Sequence, residues 1–284
     1  MHLVLLAAGH GRRFGGLKQL APVGPNGEAI MDYTAQAALS CGYAGVVVIV
    51  RAEIRGEIAA HIHRRWPAEL DVELVVQAPV PGTAQAVLSA RPAVPGPFAV
   101  ANADDLYGDA ALDALATGFQ AAATTSGRAP HVLVGYRLFR TVLTSGPVTR
   151  GVCVVGREGA LRRIVEHTVL RQDDGSFRGR PAGSEQPFAD LSGRTRVSMN
   201  LWGFHARVFD HLEEAIGRFD PERAPRRELL LPDVMNNLVS ARSDAVQVVG
   251  TAARCIGVTH QEDLPLVRSE IAEAAAERLS APRV

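Results

Sequence analysis

The sequence predicts an α/β protein with a mixed, mostly parallel sheet flanked by helices. Short apolar runs alternate with segments that carry apolar residues at helical spacing, from Leu3 to Leu115. The run Val46–Val50 is apolar throughout and β-branched, which is typical of a parallel strand buried on both faces. Strands and helices that alternate at this spacing favour a Rossmann-like sheet with helices on both sides.

The first 120 residues give the clearest elements. We predict strands at 3–8, 46–50, 72–76 and 98–101 and helices at 30–39, 53–66, 82–90 and 109–115, the last with Asp109 as its N-cap.

The second half is less regular. We predict strands at 131–136, 151–155, 161–165 and 196–204, helices at 209–216 and 234–238, and an alanine-rich amphipathic helix from 262 onward. The polar stretch 171–187 is either a loop or a hairpin tip. Since no repeat or low-complexity linker interrupts the chain, we expect one domain over 1–284. It would comprise a nucleotide half (1–120), an acceptor half (121–240) and a C-terminal helix (260–284).

Composition narrows the possible functions. Of the 284 residues, 47% are hydrophobic and 21% charged, and the formal net charge is +0, which does not indicate a nucleic-acid surface. The three cysteines are too few and too far apart for a disulfide framework or a zinc site. Neither a signal peptide nor an apolar run of membrane-spanning length is recognisable. We expect a cytoplasmic protein without nucleic-acid or membrane partners; a homo-oligomer remains an option.

The first apolar run leads into a segment rich in glycine and cations. Gly9, Gly11, Gly15 and Gly16 alternate there with Arg12, Arg13 and Lys18. Glycine lets backbone N–H groups approach a ligand closely, and the cations suit phosphate oxygens, so this segment predicts a polyphosphate-binding loop.

Two familiar phosphate loops do not fit this segment. Phe14 stands where the dinucleotide motif G-x-G-x-x-G needs its third glycine, and Leu17 separates Gly16 from Lys18, which rules out the Walker motif. Lys18 is also the sole lysine among 30 Lys and Arg residues. This use of lysine suggests that the position needs a compact point charge.

A pair of carboxylates follows the predicted strand at 98–101. Asp104 and Asp105 lie at the carboxyl end of that strand, the edge where open α/β sheets bind ligands. Carboxylates beside a polyphosphate loop are suited to Mg²⁺, which combines protein oxygens with substrate phosphate oxygens. The alternative is that the pair caps the following turn and helix, although Asp109 is better placed as a cap.

These motifs together resemble the nucleotidyltransferases that activate sugar 1-phosphates. The opening motif is Leu-Ala-Ala-Gly-x-Gly-x-Arg-x-x-x-x-Lys from Leu6 to Lys18, followed by Gln-Leu-x-Pro-Val. The similarity continues, in the family's order, through Gln77, Gly82-Thr-Ala-Gln-Ala86, Asn102-Ala-Asp104, Gly151, Val165-Glu166 and Glu228-Leu-Leu-Leu-Pro-Asp233. The resemblance covers about positions 2 to 238 and implies the GT-A-like nucleotidyltransferase fold.

The resemblance also implies roles for single residues. Arg13 would contact the β- and γ-phosphates, and Lys18 the phosphates around the reacting centre. Asp104 and Asp233 would bind Mg²⁺, with Asp105 as a further candidate ligand. The nucleotide site would comprise Leu6, Ala7, Ala8, Gly9, His10, Gly11, Arg12, Gln77, Gly82, Thr83 and Asn102, with Gln77 and Gly82 at the base. The acceptor site would comprise Tyr107, Gly151, Glu166, His167 and Asn200, with Glu166 on the sugar hydroxyls.

One departure from the family concerns the acceptor. Such enzymes commonly have a lysine after the glutamate to hold the acceptor phosphate, and this chain has His167. Neutral histidine is a weaker anchor, so Arg150, Arg163 or an arginine of the 218–227 loop could substitute for that lysine.

The predicted activity is Mg²⁺-dependent transfer of NMP from an NTP to a sugar 1-phosphate or cyclitol phosphate. A cytidylyltransferase for phosphocholine or another non-sugar phosphate is the runner-up. A catalytically silent sensor of nucleotide sugars and a glycosyltransferase are further alternatives. Retention of Arg13, Lys18, Asp104 and Asp233 argues against the silent sensor, and the missing Asp-x-Asp spacing at residues 103–106 argues against the glycosyltransferase.

Overall fold

The alternation of strands and helices predicted for the first half is confirmed. The computed structural model describes residues 1–9, 11, 14–123, 127–144, 146–222 and 228–280. Its first half contains β1 (His2–Leu6), α1 (Ile30–Ser40), β2 (Val46–Val50), α2 (Arg55–Arg65), β3 (Val72–Val76), α3 (Thr83–Ser89), β4 (Phe98–Asn102), β5 (Asp105–Leu106) and α4 (Asp109–Ala123). Helix α4 begins at Asp109 itself and extends eight residues beyond the predicted end.

The second half contains more strands than the sequence predicts. It comprises β6 (His131–Arg137), β7 (Val148–Val155), β8 (Leu161–Arg171), β9 (Phe177–Pro181), β10 (Ala189–Leu191), β11 (Arg196–Phe204), α5 (Val208–Gly217), α6 (Leu231–Ser240), β12 (Val246–Gly250), β13 (Ile256–Gly257) and α7 (Leu264–Ser280). The polar 171–187 stretch contributes to a hairpin, since β9 pairs with both β8 and β10. Strands β12 and β13 are not among the predicted elements.

The main sheet has the order β3-β2-β1-β4-β11-β6-β12. All its strands are parallel except β11, which runs antiparallel to both β4 and β6. Strands β7 to β10 form an antiparallel extension that joins the sheet through β11. The mixed, mostly parallel sheet flanked by helices is therefore confirmed.

Strand β11 connects the main sheet to the extension. One of its edges pairs with β6 along both halves of the strand. On the other edge, Ser198 pairs with Gly151 of β7, and Trp202 pairs with Val100 of β4. Strands β7 and β4 therefore follow one another along one edge of β11, with a register shift between Ser198 and Trp202. This interval lies beside the carboxyl end of β4.

The core lies on both faces of the sheet because successive side chains of a strand point to opposite sides. In β1, Leu3 and Leu5 belong to one buried cluster, while Val4 and Leu6 belong to the other. This two-sided burial explains why the first strands are apolar throughout. In the described part of the chain, no helix is long and apolar enough to span a bilayer.

Candidate active site

The glycine loop leaves the carboxyl end of β1. Gly11 has φ +57°, and a Cβ there would lie 2.6 Å from the carbonyl oxygen of Gly16, so glycine is needed for this turn. The buried Gln19 side chain donates from Nε2 to the carbonyls of Ala7 (2.9 Å) and Gly9 (3.2 Å). These bonds fix the two ends of the loop. Of the predicted loop residues, His10, Arg12 and Arg13 lie outside the described residues.

Lys18 connects the loop to the predicted metal carboxylate. Its Nζ forms an ion pair with Asp104 and lies 3.5 Å from the carbonyl oxygen of Val258. The Lys18 and Asp104 side chains are 19% and 20% exposed, so both reach solvent while facing each other. Parallel β1 and β4 end at the same edge of the sheet, which brings the two side chains together. The structure thus places the loop lysine against the strand-end carboxylate, while the roles predicted for the two residues stay predictions.

Asp105 is a buried carboxylate beside this pair. Burial, together with the negative charge of Asp104, raises the pKa of Asp105 to about 6. Asn102 opposes this shift by donating from Nδ2 to Asp105 Oδ2 at 2.8 Å. The structure thus gives the two adjacent aspartates different environments, one at the solvent edge and one inside.

Asn200 occupies the interval in β11 between its β7 and β4 partners. Its backbone is in the left-handed region (φ +61°), which asparagine tolerates better than most residues. Its Nδ2 donates to Asn102 Oδ1 at 2.9 Å, and its Oδ1 accepts from Trp202 Nε1 at 2.8 Å. A chain of side-chain hydrogen bonds therefore runs from Trp202 through Asn200 and Asn102 to Asp105.

Tyr107 supports this network from inside the core. The sequence predicts an acceptor contact for Tyr107, but the side chain is 1% exposed. Its hydroxyl accepts from the Asn102 backbone N–H (2.9 Å) and donates to the Met199 carbonyl (2.9 Å). Because the residue lies inside the core, we correct the prediction: Tyr107 holds Asn102 rather than facing a ligand.

A cavity of about 1310 Å³ opens at this edge of the sheet. Its lining includes Gly11, Lys18, Asp104 and Asp105, together with residues between 141 and 150 and between 256 and 266. The C-terminal contribution is not among the sequence predictions. The apolar spacing of Ile256, Val258, Val267 and Ile271 was the available signal, because these residues pack against Phe14 and Ala21 beside the glycine loop.

Arg150 is a half-buried cation in the cavity wall. Its Nη1 donates to the Thr149 carbonyl at 2.8 Å and its Nη2 to the Thr141 carbonyl at 2.5 Å. Its Nε is buried and has no hydrogen-bond partner. Burial lowers the pKa of the guanidinium, and the nearby Asp105 charge opposes that shift. Arginine stays protonated in such a setting, so the wall carries a fixed positive charge.

The predicted base-reading residues hold a turn together. Gln77 donates from Nε2 to the carbonyls of Val80 (3.1 Å) and Gly82 (3.3 Å). Gly82 has φ +117°, and Thr83 Oγ1 accepts from the backbone N–H of Leu231 at 2.8 Å. These contacts fasten the turn to the segment before α6. Their contact with a nucleobase stays a prediction.

Asp233 is exposed in the first turn of α6. Helix α6 begins at Leu231, three residues before the predicted start at 234. Pro232 lies in its first turn, where the fixed φ of proline favours helix initiation. Asp233 does not line the cavity, and the described residues contain no cluster of three or more His, Cys, Asp or Glu that could hold a metal. A metal contact by Asp233 stays a prediction.

The predicted acceptor residues lie on adjacent strands. Gly151 of β7 pairs with Glu166 of β8, and Arg150 pairs with His167. His167 Nδ1 lies 2.9 Å from the Val165 carbonyl oxygen. The structure thus brings Gly151, Glu166 and His167 together. None of these three lines the cavity, whereas the neighbouring Arg150 does.

Comparison with sequence families identifies the chain. The profile of the MobA-like NTP transferase domain matches residues 3–176, more than half of the sequence. The chain belongs to this family. It is therefore a nucleotidyltransferase, and the matched region includes the glycine loop, Lys18 and the Asp104–Asp105 pair. No curated protein sequence matches this nucleotidyltransferase.

Solved structures share the fold of this nucleotidyltransferase over nearly its whole length. The inositol-1-phosphate CTP transferase from T. maritima superposes with a TM-score of 0.67 at 14% identity, covering 96% of each chain. A protein from Bacillus anthracis provisionally named a glucose-1-phosphate thymidylyltransferase, in complex with a sucrose, gives 0.66 at 15% identity over 95% of each chain. UDP-glucose pyrophosphorylase complexed with UDP-glucose gives 0.66 at 14% identity, covering 96% of this chain and 98% of the other.

Proposed function

We propose that this nucleotidyltransferase transfers a nucleoside monophosphate from an NTP to a sugar 1-phosphate or cyclitol phosphate, releasing pyrophosphate. The observation that carries the proposal is the meeting of Lys18 with Asp104 in the wall of a large cavity. A metal-bound triphosphate needs backbone N–H groups and a cation for its phosphates and a carboxylate for the metal. The glycine loop with Lys18 provides the first two, and the strand-end Asp104 provides the third. The names of the neighbouring structures, which refer to inositol 1-phosphate, glucose 1-phosphate and UDP-glucose, support the choice of acceptor.

The donor set fits Mg²⁺. This ion is usually held by one or two carboxylates together with substrate phosphates and water, so a cluster of three protein ligands is not required. Asp104, with its partly exposed carboxylate, is the proposed principal ligand, with Asp105 adjacent and Asp233 as the second ligand implied by the resemblance. When bound, the ion would neutralise charge that develops on the phosphate oxygens.

The residues of this chain would act by binding and positioning. Gly11 and its neighbours let the loop approach the triphosphate, and Lys18 adds a positive charge at its reacting end. An oxygen of the acceptor phosphate attacks the α-phosphorus, the bond to the bridging oxygen breaks, and pyrophosphate leaves with those electrons. Because the attacking phosphate is already an anion, no general base is needed.

The test is pyrophosphate release with each of the common NTPs against a panel of acceptors, with and without Mg²⁺. The panel contains sugar 1-phosphates, inositol phosphates and phosphocholine, so that the non-sugar alternative is an outcome of the same assay. We expect turnover with one cyclitol or sugar phosphate and Mg²⁺. Tight binding of a nucleotide sugar without turnover of any pair would refute the proposal in favour of a silent sensor.

Asp104→Asn is the matched variant for the metal assignment. It keeps the shape of the side chain and removes the charge, so we expect turnover to fall by roughly 100-fold or more. Asp113→Asn, an exposed carboxylate on α4, is the control and should leave the rate unchanged. Wild-type turnover by Asp104→Asn would contradict the assignment.

A further inference from the structure

Arg150 and His167 are direct partners across strands β7 and β8. Directly opposed residues of an antiparallel pair project their side chains to the same face of the sheet, with Cβ atoms about 5 Å apart. Position 167 therefore shares a sheet face with Arg150, which lines the cavity. By the resemblance described in the sequence analysis, His167 stands at the position of the family's phosphate-holding lysine.

The two positively charged side chains of the cavity wall differ in whether a carboxylate neutralises them. Among the described lining residues, Lys18 and Arg150 provide the fixed positive charges. Lys18 is already paired with Asp104. Arg150 has no carboxylate within ion-pair distance in the described part of the chain, and two carbonyls hold its guanidinium in place. A guanidinium has five N–H donors, so a fixed and unpaired one is well suited to bind a phosphate.

The competing arginines fit less well. Arg163 lies four residues before His167 on β8, which displaces it by about 13 Å along the strand. It is exposed and does not line the cavity. Arg218 forms an ion pair with Glu214 at 2.7 Å. Arg223, Arg226 and Arg227 lie outside the described residues.

We propose that Arg150 anchors the acceptor phosphate, supplying from β7 the positive charge that related enzymes supply from the position of His167. The inference rests on the proposed function and makes it more specific. The acceptor is a phosphate monoester whose dianionic group lies over the sheet face shared by β7 and β8 and whose organic part extends into the cavity toward residues 256–266. A guanidinium can bind two phosphate oxygens at once, and its charge attracts a phosphate dianion more strongly than a singly charged carboxylate or diester.

The experiment compares Arg150→Gln with Arg163→Gln. Loss of a charge-assisted contact with phosphate should raise the KM for the acceptor by roughly 10- to 100-fold, while the KM for the NTP stays within about twofold. Arg163→Gln should leave both KM values unchanged. An acceptor KM within about twofold of wild type in Arg150→Gln, or a larger change in Arg163→Gln, would overturn the assignment.

A compensating lysine tests the location of the phosphate. The double variant Arg150→Gln/His167→Lys restores a cation on the same face from the opposite strand, so it should regain at least about fivefold in acceptor KM over Arg150→Gln. A double variant no better than Arg150→Gln would refute a phosphate over the face shared by the two strands. Arg150→Lys keeps the charge without the planar fork and should give an intermediate acceptor KM, provided that its thermal unfolding matches the wild type.

Calorimetric titration with inorganic phosphate separates this inference from the proposed function. If no acceptor is turned over by the wild type, the proposed function fails while phosphate binding can still be measured. We expect phosphate to bind the wild type at least about tenfold more tightly than Arg150→Gln. Equal affinities would overturn the role of Arg150 whatever the enzyme's activity.

Discussion

Asp105→Asn should stabilise the metal-free protein and impair its activity at the same time. The substitution keeps the shape of the side chain and removes a buried negative charge. The oxygen of asparagine can still accept the hydrogen bond from Asn102 Nδ2, which is 2.8 Å long in the wild type. The variant therefore isolates the free energy that the protein loses by keeping this carboxylate ionised.

The size of the effect follows from the pKa of Asp105, which burial raises from 3.8 to about 6. A difference of about two pKa units corresponds to about 3 kcal/mol. This net shift of the pKa already includes the hydrogen bond from Asn102, which favours the charged form. Asp105→Asn should thus raise the free energy of unfolding by about 3 kcal/mol at pH 8.

The sign of the pH dependence is specific. Between pH 4 and 6 the folded protein keeps the Asp105 proton while the unfolded chain releases it. The contribution of Asp105 to stability is therefore lost as the pH rises through this window, and it is constant above it. At pH 4 the carboxyl is neutral in the folded protein, so the variant should be no more stable than the wild type.

The assay is urea unfolding with EDTA at pH 4, 6 and 8, followed by circular dichroism. Asp113→Asn on the exposed face of α4 is the control and should change the free energy of unfolding by less than about 0.5 kcal/mol at each pH. Pyrophosphate release is measured on the same preparations. A difference between Asp105→Asn and wild type that does not vary with pH would refute the reasoning.

Three further predictions concern Gly82, the sole lysine Lys18 and the buried His131. Gly82→Ala should lower the free energy of unfolding in urea by about 3 kcal/mol, because its Cβ would lie 2.2 Å from the carbonyl oxygen of Leu229. The control Gly56→Ala has open space around its Cβ and should not lower the free energy of unfolding. Lys18→Arg should lower steady-state turnover by about tenfold or more, because a planar guanidinium cannot replace the ammonium beside Asp104; a rate within twofold would show that the compact charge is dispensable. Burial lowers the pKa of His131 from 6.5 to about 4, so stability should fall by up to about 3 kcal/mol from pH 6.5 to 4, and urea unfolding of His131→Gln should show a smaller fall.

The first half of the fold was predictable because β1, β2 and β4 are buried on both faces. Val46–Val50 is apolar at every position, and such a run leaves little choice other than a central parallel strand. The second half was harder to predict. Strand β12, Val246–Gly250, lies at the edge of the sheet and includes Gln247, so its apolar pattern is weak.

The candidate site was predictable where its residues follow strand ends. Lys18 belongs to the loop that leaves β1 and Asp104 follows the end of β4, and neighbouring parallel strands end at the same edge of a sheet. The acceptor contact predicted for Tyr107 was wrong because sequence position does not show whether a side chain after a strand points to solvent or to the core. The C-terminal wall was missed because its contacts with Phe14 and Lys18 join residues about 240 positions apart.

The sequence by itself determined the chemistry available at the site: a glycine loop, one lysine and two consecutive carboxylates, each placed by local pattern at a strand end. Only the tertiary structure decided how those two carboxylates differ, since the burial of Asp105 depends on Asn102, Tyr107 and Asn200. The structure also singled out Arg150 from the other arginines. Cross-strand register puts it opposite His167, and register between distant segments is fixed by packing and pairing that no local pattern encodes.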